Sequence, residues 1–176
     1  MRAVVTALTL LVPLTAWAAG SGSDAPPKPT QTTQECSEGQ VWDTKTSACV
    51  DAESSSLDDD TRYAAVRELA YAGRYSASLD VLATMQDRTD SRVLTYLGFN
   101  NRKLGRVEIG MAYYAQALAA DPDNHLARSY MGQALVEAGD FDAARVQLAE
   151  IRSRGGAGWP EQALAEAIDT GHTFAY

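Results

Sequence analysis

The chain has 176 residues, enough for one modest domain with appendages. It carries 23 acidic and 15 basic side chains, a formal net charge of −8. That balance argues against a nucleic-acid partner, which rewards clustered Lys and Arg. Cys36 and Cys49 are its two cysteines, and whether they pair depends on the compartment.

Residues 1–19 read as a signal peptide. Arg2 supplies the positive start, residues 3–14 an apolar stretch, and Ala16-Trp17-Ala18 a small-x-small cleavage pattern. Cleavage is expected after Ala18 or Ala19. The apolar run is too short to span a bilayer comfortably, and no later segment is apolar enough to do so. The mature protein is therefore expected to be exported, to the periplasm of a Gram-negative bacterium or beyond. An uncleaved N-terminal anchor is the competing reading.

Residues 20–35 hold Gly, Ser, Pro, Thr and Gln with no large apolar side chain. Such a stretch buries too little surface to offset its conformational entropy, and it reads as a disordered tether. Residues 36–50 contain Cys36 and Cys49 around turn formers and the strand-like Gln40-Val41-Trp42. In an exported chain the two cysteines are expected to close a loop, worth on the order of 3 kcal/mol. A small disulfide-clamped hairpin covered by Trp42 follows. Its C-x2-G-x2-W-D-x5-C spacing resembles the C-terminal half of a peritrophin-type chitin-binding module. That family uses six cysteines, so a structural staple and a sugar contact both stay open. Residues 51–58 form a second linker, and the Asp58-Asp59-Asp60 run suits a helix N-terminus.

From there the chain repeats itself. Leu97-Gly98 recurs as Met131-Gly132, Gly105 as Gly139, Gly110 as Ala144, Tyr114 as Leu148 and Ala117 as Ile151, each pair 34 residues apart. A fixed period of this length marks a stacked array of helix pairs. Leu97-Gly98, Gly105, Gly110, Tyr114, Ala117 and Asp121-Pro122 resemble the tetratricopeptide repeat consensus. Asn101 departs from it, standing where a Tyr or another large residue is usual; a hydrogen bond to a neighbouring repeat's backbone is expected there. The resemblance implies an all-α, right-handed α-solenoid of three helix pairs over residues 59–90, 91–124 and 125–158. The first pair is degenerate, with Ala65, Val66 and Leu69 facing Ser78, Leu82 and Met85. Residues 159–171 read as a capping helix, with Pro160 in its first turn and Gly171 at its end. Residues 172–176 read as a frayed tail on which Phe174 and Tyr176 can pack back.

Catalysis finds little support. His125 opens a helix and reads as a solvated start residue, and His172 lies in the tail. Neither has a Cys or Ser arrangement for nucleophilic work. The Asp121-Pro122-Asp123-Asn124 run lacks the following residues of a calcium loop. No catalytic residue, metal or cofactor is expected. The tetratricopeptide resemblance implies instead a concave groove lined by the first helix of each pair. Its positions would be Asp60, Tyr63, Arg67 and Tyr71; Arg92, Thr95, Phe99, Arg102 and Lys103; and Ser129, Gln133 and Glu137. This aromatic and basic set suits a protein or peptide partner, with the three arginines set to pair a carboxylate. The function expected is a non-enzymatic adaptor for an envelope protein, acting as a monomer or weak oligomer. The alternative is a peptidoglycan or other envelope-glycan binder using Trp42.

Overall fold

A computed structural model describes residues 24–174. The signal peptide expected over residues 1–19 lies outside these, as does Tyr176.

Seven helices form the array. The first pair is α2 (Asp59–Tyr71) and α3 (Tyr75–Ala83), the second α4 (Ser91–Lys103) and α5 (Val107–Ala120), and the third α6 (His125–Glu137) and α7 (Phe141–Ser153). Helix α8 (Trp159–Thr170) follows. Before them lie a single helical turn, α1 (Gln31–Gln34), and an antiparallel hairpin of β1 (Gln40–Asp43) and β2 (Ala48–Asp51). No helix among the described residues is long and apolar enough to cross a membrane.

The same local chemistry starts and stops each unit. Asp58, Asn124 and Asp140 cap α2, α6 and α7 by accepting from the backbone N–H three residues on. Gly73, Gly105 and Gly139 follow the first helix of each pair at φ of 75°, 79° and 79°, which an L side chain adopts only with strain. The next residue in each case donates back to a carbonyl five residues earlier (Arg74 to Leu69, Arg106 to Asn101, Asp140 to Leu135). These bonds satisfy orphan carbonyls and turn the chain into the second helix.

Packing between pairs combines small residues with an aromatic cluster. A Cβ on Gly98 would lie 2.6 Å from the Tyr114 ring and 3.0 Å from the Gly110 carbonyl oxygen, so α4 and α5 cross at backbone contact. Tyr63, Tyr96 and Tyr130, one from each first helix, form consecutive edge-to-face pairs at 5.7 and 6.2 Å. Asn100 donates to Ser78 Oγ, and Ser78 donates to the Val66 carbonyl, both at 2.9 Å. That buried relay joins α4, α3 and α2. Asn101 finds its partner in its own helix, donating to the Leu97 carbonyl at 2.8 Å, and not in the neighbouring repeat.

Both ends of the array are covered. Leu164 of α8 fills the space over Gly132, where a Cβ would sit 2.6 Å from it, and α8 closes the last pair. At the other end the hairpin, bonded through Cys36–Cys49, places Val41 in the main core with Ala52 and Leu57. Arg62 of α2 fixes it there. Buried itself, it donates to the carbonyls of Ala52 and Ser54 at 2.9 Å and pairs with Asp59 at 3.0 Å. The hairpin thus caps the flank of α2, as terminal elements of a solenoid must. Residues 51–58, expected as a plain linker, contribute to this contact.

Two expectations change at the chain ends. Within the expected tether over residues 20–35, residues 24–35 are held in place, because α2 supplies what their own composition lacks. Glu68 accepts from the backbone N–H and hydroxyl of Thr30 at 2.7 and 2.6 Å, and from those of Thr33 at 3.1 and 2.5 Å. One carboxylate thereby organises α1. In the expected frayed tail, Thr173 donates to Glu137 at 2.6 Å, Lys103 donates to the Phe174 carbonyl at 3.2 Å, and the Phe174 ring packs 5.1 Å from Trp159.

Candidate functional site

The first turns of α2 and α4 lie side by side, and the α5–α6 turn folds over them. Asn124 makes the join. Its amide donates to Ser91 Oγ at 2.7 Å and to Thr95 Oγ1 at 3.0 Å, while its oxygen caps α6. The result is a cleft of about 200 Å³. Tyr63, Arg67, Arg92 and Thr95 form one side of it. Asp121, Asp123, Asn124 and His125 form the other, and Asp24 of the N-terminal segment enters it.

Four of the twelve expected groove residues therefore come together, from two repeats. Tyr63 is half-buried, and burial pushes its hydroxyl up to about 12 against the pull of Arg67 and Arg92, so it stays a neutral donor at physiological pH. Arg92 is exposed. It lies 5.0 Å over the Tyr63 ring and is held by Asp90 at 2.8 Å and Asp60 at 3.6 Å. Arg67 donates to Tyr96 Oη at 3.4 Å and to the carbonyl of Ala25 at 2.6 Å. Tyr71 lies further along α2, stacked on Phe99 at 6.3 Å and bonded to Tyr130 Oη at 2.9 Å.

Four further expected residues lie beneath the surface. Phe99, Ser129 and Gln133 are fully buried, and Arg102 is 3% exposed. Phe99 is buried because Tyr71, Tyr75, Tyr96 and Tyr130 surround its ring. Gln133 and Ser129 bond each other at 3.3 Å between α6 and its neighbours. Arg102 bonds Tyr114 Oη at 3.4 Å and pairs with Glu137 at 2.7 Å. Burial alone would lower its pKa, but Tyr114 and Glu137 more than offset this and keep it charged. Lys103 and Glu137 belong to the same cluster, at 3.8 Å. This cluster ties α4 to α6 and to the C-terminal tail.

The surface is consequently mixed in charge, not basic. Asp121 and Asp123 stand against Arg67 and Arg92 in the cleft. Each arginine of the expected carboxylate-pairing set already has a partner within the chain. The sequence reading missed Asn124 and His125 as cleft residues; the Asn-His pair at a helix start was visible, but not the fold of the turn over α4.

Trp42 sits between α1 and α2, beside Thr30, Thr32, Ala64 and Ala65, and its backbone N–H donates to Thr32 Oγ1 at 3.2 Å. Among the described residues no group of three or more His, Cys, Asp or Glu is placed to hold a metal.

The tetratricopeptide repeat family model matches residues 102–167, from the last turn of α4 into α8. No curated protein and no solved structure matches the chain. The match and the stacked helix pairs together support a tetratricopeptide-repeat protein, and repeats of this kind suggest a protein–protein interaction role.

Proposed function

We propose that the protein is an exported, non-enzymatic adaptor that holds an extended segment of a cell-envelope protein on the concave face of its repeats. The observation that carries this reading is the cleft of Tyr63, Arg67, Arg92 and Thr95, closed by Asn124 and His125. It offers what an extended peptide needs: an aromatic face, donors for backbone carbonyls and flanking charges of both signs. Residues from α2, α4 and α6 contribute, so the site exists only when the repeats stack. Export is supported by the signal-like residues 1–19 and by the Cys36–Cys49 bond, which persists in oxidising compartments.

The test is affinity capture by the mature protein from the envelope fraction of its own cells. The Tyr63→Ala/Arg92→Ala double variant is expected to lose the captured partner while its helical circular dichroism stays unchanged. Trp42→Ala is expected to retain it. Retention by the double variant would contradict the cleft assignment. Binding to insoluble peptidoglycan that depends on Trp42 would favour the glycan reading instead.

A further inference from the structure

The segment ahead of α1 is built of residues that cannot hold themselves in place. Asp24-Ala25-Pro26-Pro27-Lys28-Pro29 has three prolines, each lacking a backbone N–H and fixed near one φ. Such a stretch makes no helix or ladder of its own and favours an extended, polyproline-like path. It nevertheless follows the surface of α2. Pro27 and Pro29 line a hollow with Glu68, Tyr71 and Ala72. Two residues upstream of Pro27, the Ala25 carbonyl accepts from Arg67 Nη2, and Asp24 reaches the cleft. Downstream, Glu68 anchors Thr30 and Thr33.

The chemistry of these contacts is that of proline-rich recognition. A proline segment presents carbonyl acceptors and flat ring faces but few donors. The α2 surface presents the complement, a guanidinium donor at Arg67 and the aromatic ring of Tyr71. At Asp24 desolvation raises the carboxyl by more than Arg67 and His125 lower it, so burial works against that charge as the hold on the segment.

We propose that residues 24–29 are a resident ligand of the concave face, and that a partner enters by displacing them with an extended, proline-containing segment of its own. The inference rests on the adaptor reading for its biological meaning, but not for its test. Because the resident segment is tethered, it competes at a high effective concentration and hides the site from weak ligands.

The experiment uses the full mature chain and a variant in which residues 24–29 are replaced by Gly and Ser. Thr30 and α1 are kept, so Glu68 retains its bonds. The probe is a fluorescent synthetic peptide of residues 21–30, followed by anisotropy, with circular dichroism confirming that each protein is folded. The probe is expected to bind the replaced variant at least about tenfold more tightly than the wild type. Binding is expected to weaken several-fold when Arg67→Ala is added, and to weaken when the probe's prolines become alanine. The probe carrying Asp24→Asn is expected to bind at least as well. A second protein, Pro27→Ala/Pro29→Ala in the full chain, is expected to admit the probe to an intermediate degree. Equal binding to wild type and replaced variant, or binding to neither, would overturn the proposal. Loss of binding by the Asp24→Asn probe would overturn the assignment to proline chemistry. If the probe binds neither protein while Tyr63→Ala/Arg92→Ala still loses the captured partner, the resident-ligand inference falls and the adaptor reading stands.

Discussion

Arg67 donates from Nη2 to the carbonyl oxygen of Ala25 at 2.6 Å, and from Nε to the hydroxyl of Tyr96 at 3.4 Å. One side chain therefore joins the N-terminal segment to both α2 and α4. Arg67→Ala is expected to lower the backbone NMR order parameter at Ala25 while lowering global stability by only about 0.5–1.5 kcal/mol, the usual worth of a hydrogen bond. An unchanged order parameter at Ala25 would show that the segment is held by other contacts.

The crossing of α4 and α5 gives a stability prediction of a different kind. A methyl group on Gly98 meets the Tyr114 ring at 2.6 Å, and Tyr114 is fully buried. Gly98→Ala is expected to destabilise by about 1–3 kcal/mol, the common cost of overpacking. Thermal unfolding by circular dichroism reads it. The exposed Val146→Ala serves as control and is expected to stay within about 0.5 kcal/mol of wild type.

Glu137 sets a pH limit. Burial works to raise its carboxyl, but Arg102, Thr173 and Lys103 outweigh burial and hold it below the ordinary carboxylate value. A carboxyl lowered in the folded state adds stability that is present above its unfolded pKa and lost as pH falls through the folded one. Urea midpoints taken from pH 7 down to about pH 3 are expected to fall more steeply for wild type than for Glu137→Gln. At neutral pH Glu137→Gln is itself expected to be destabilising, because Arg102 keeps a buried charge with a weaker partner. The loss should stay under the roughly 3–5 kcal/mol of a fully buried pair, since Glu137 is partly exposed. Parallel pH profiles would contradict this account.

The hairpin is a cap, and its bond should behave as one. Replacing Cys36 and Cys49 by Ser together is expected to cost on the order of 3 kcal/mol, most of it seen as freer exchange in residues 36–57. Arg62 then loses the carbonyls of Ala52 and Ser54, so α2 is expected to loosen before α6 does. A uniform loss across all helices would argue instead that the array unfolds as one unit.

Much of this architecture is legible in the residues, and the rest has physical reasons for being hidden. Ala65, Val66, Leu69, Ser78, Leu82 and Met85 are all buried where the repeat pattern puts them, because a stacked helix pair has one way to hide its small and apolar positions. The concave face is less legible. A helix position can face the open groove or the next first helix, and the period is the same for both. The tyrosines settle the matter by enclosing Phe99, which no spacing rule reveals. His125 reads as a helix start in isolation and becomes a cleft residue only because Asn124 bonds across to Ser91 and Thr95. The order of residues 24–34 is least legible of all. It rests on a backbone carbonyl at Ala25 and on a carboxylate 38 residues from Thr30, neither of which composition reports.

The most direct test of the concave face is photo-crosslinking in the native cells, with a photoreactive amino acid placed at Arg92 or at Arg145. Both positions are exposed, and Arg92 lines the cleft whereas Arg145 lies on α7 outside it. A crosslink to a second protein from position 92 and none from 145 is the predicted result. Crosslinks from position 145 with none from 92 would contradict it.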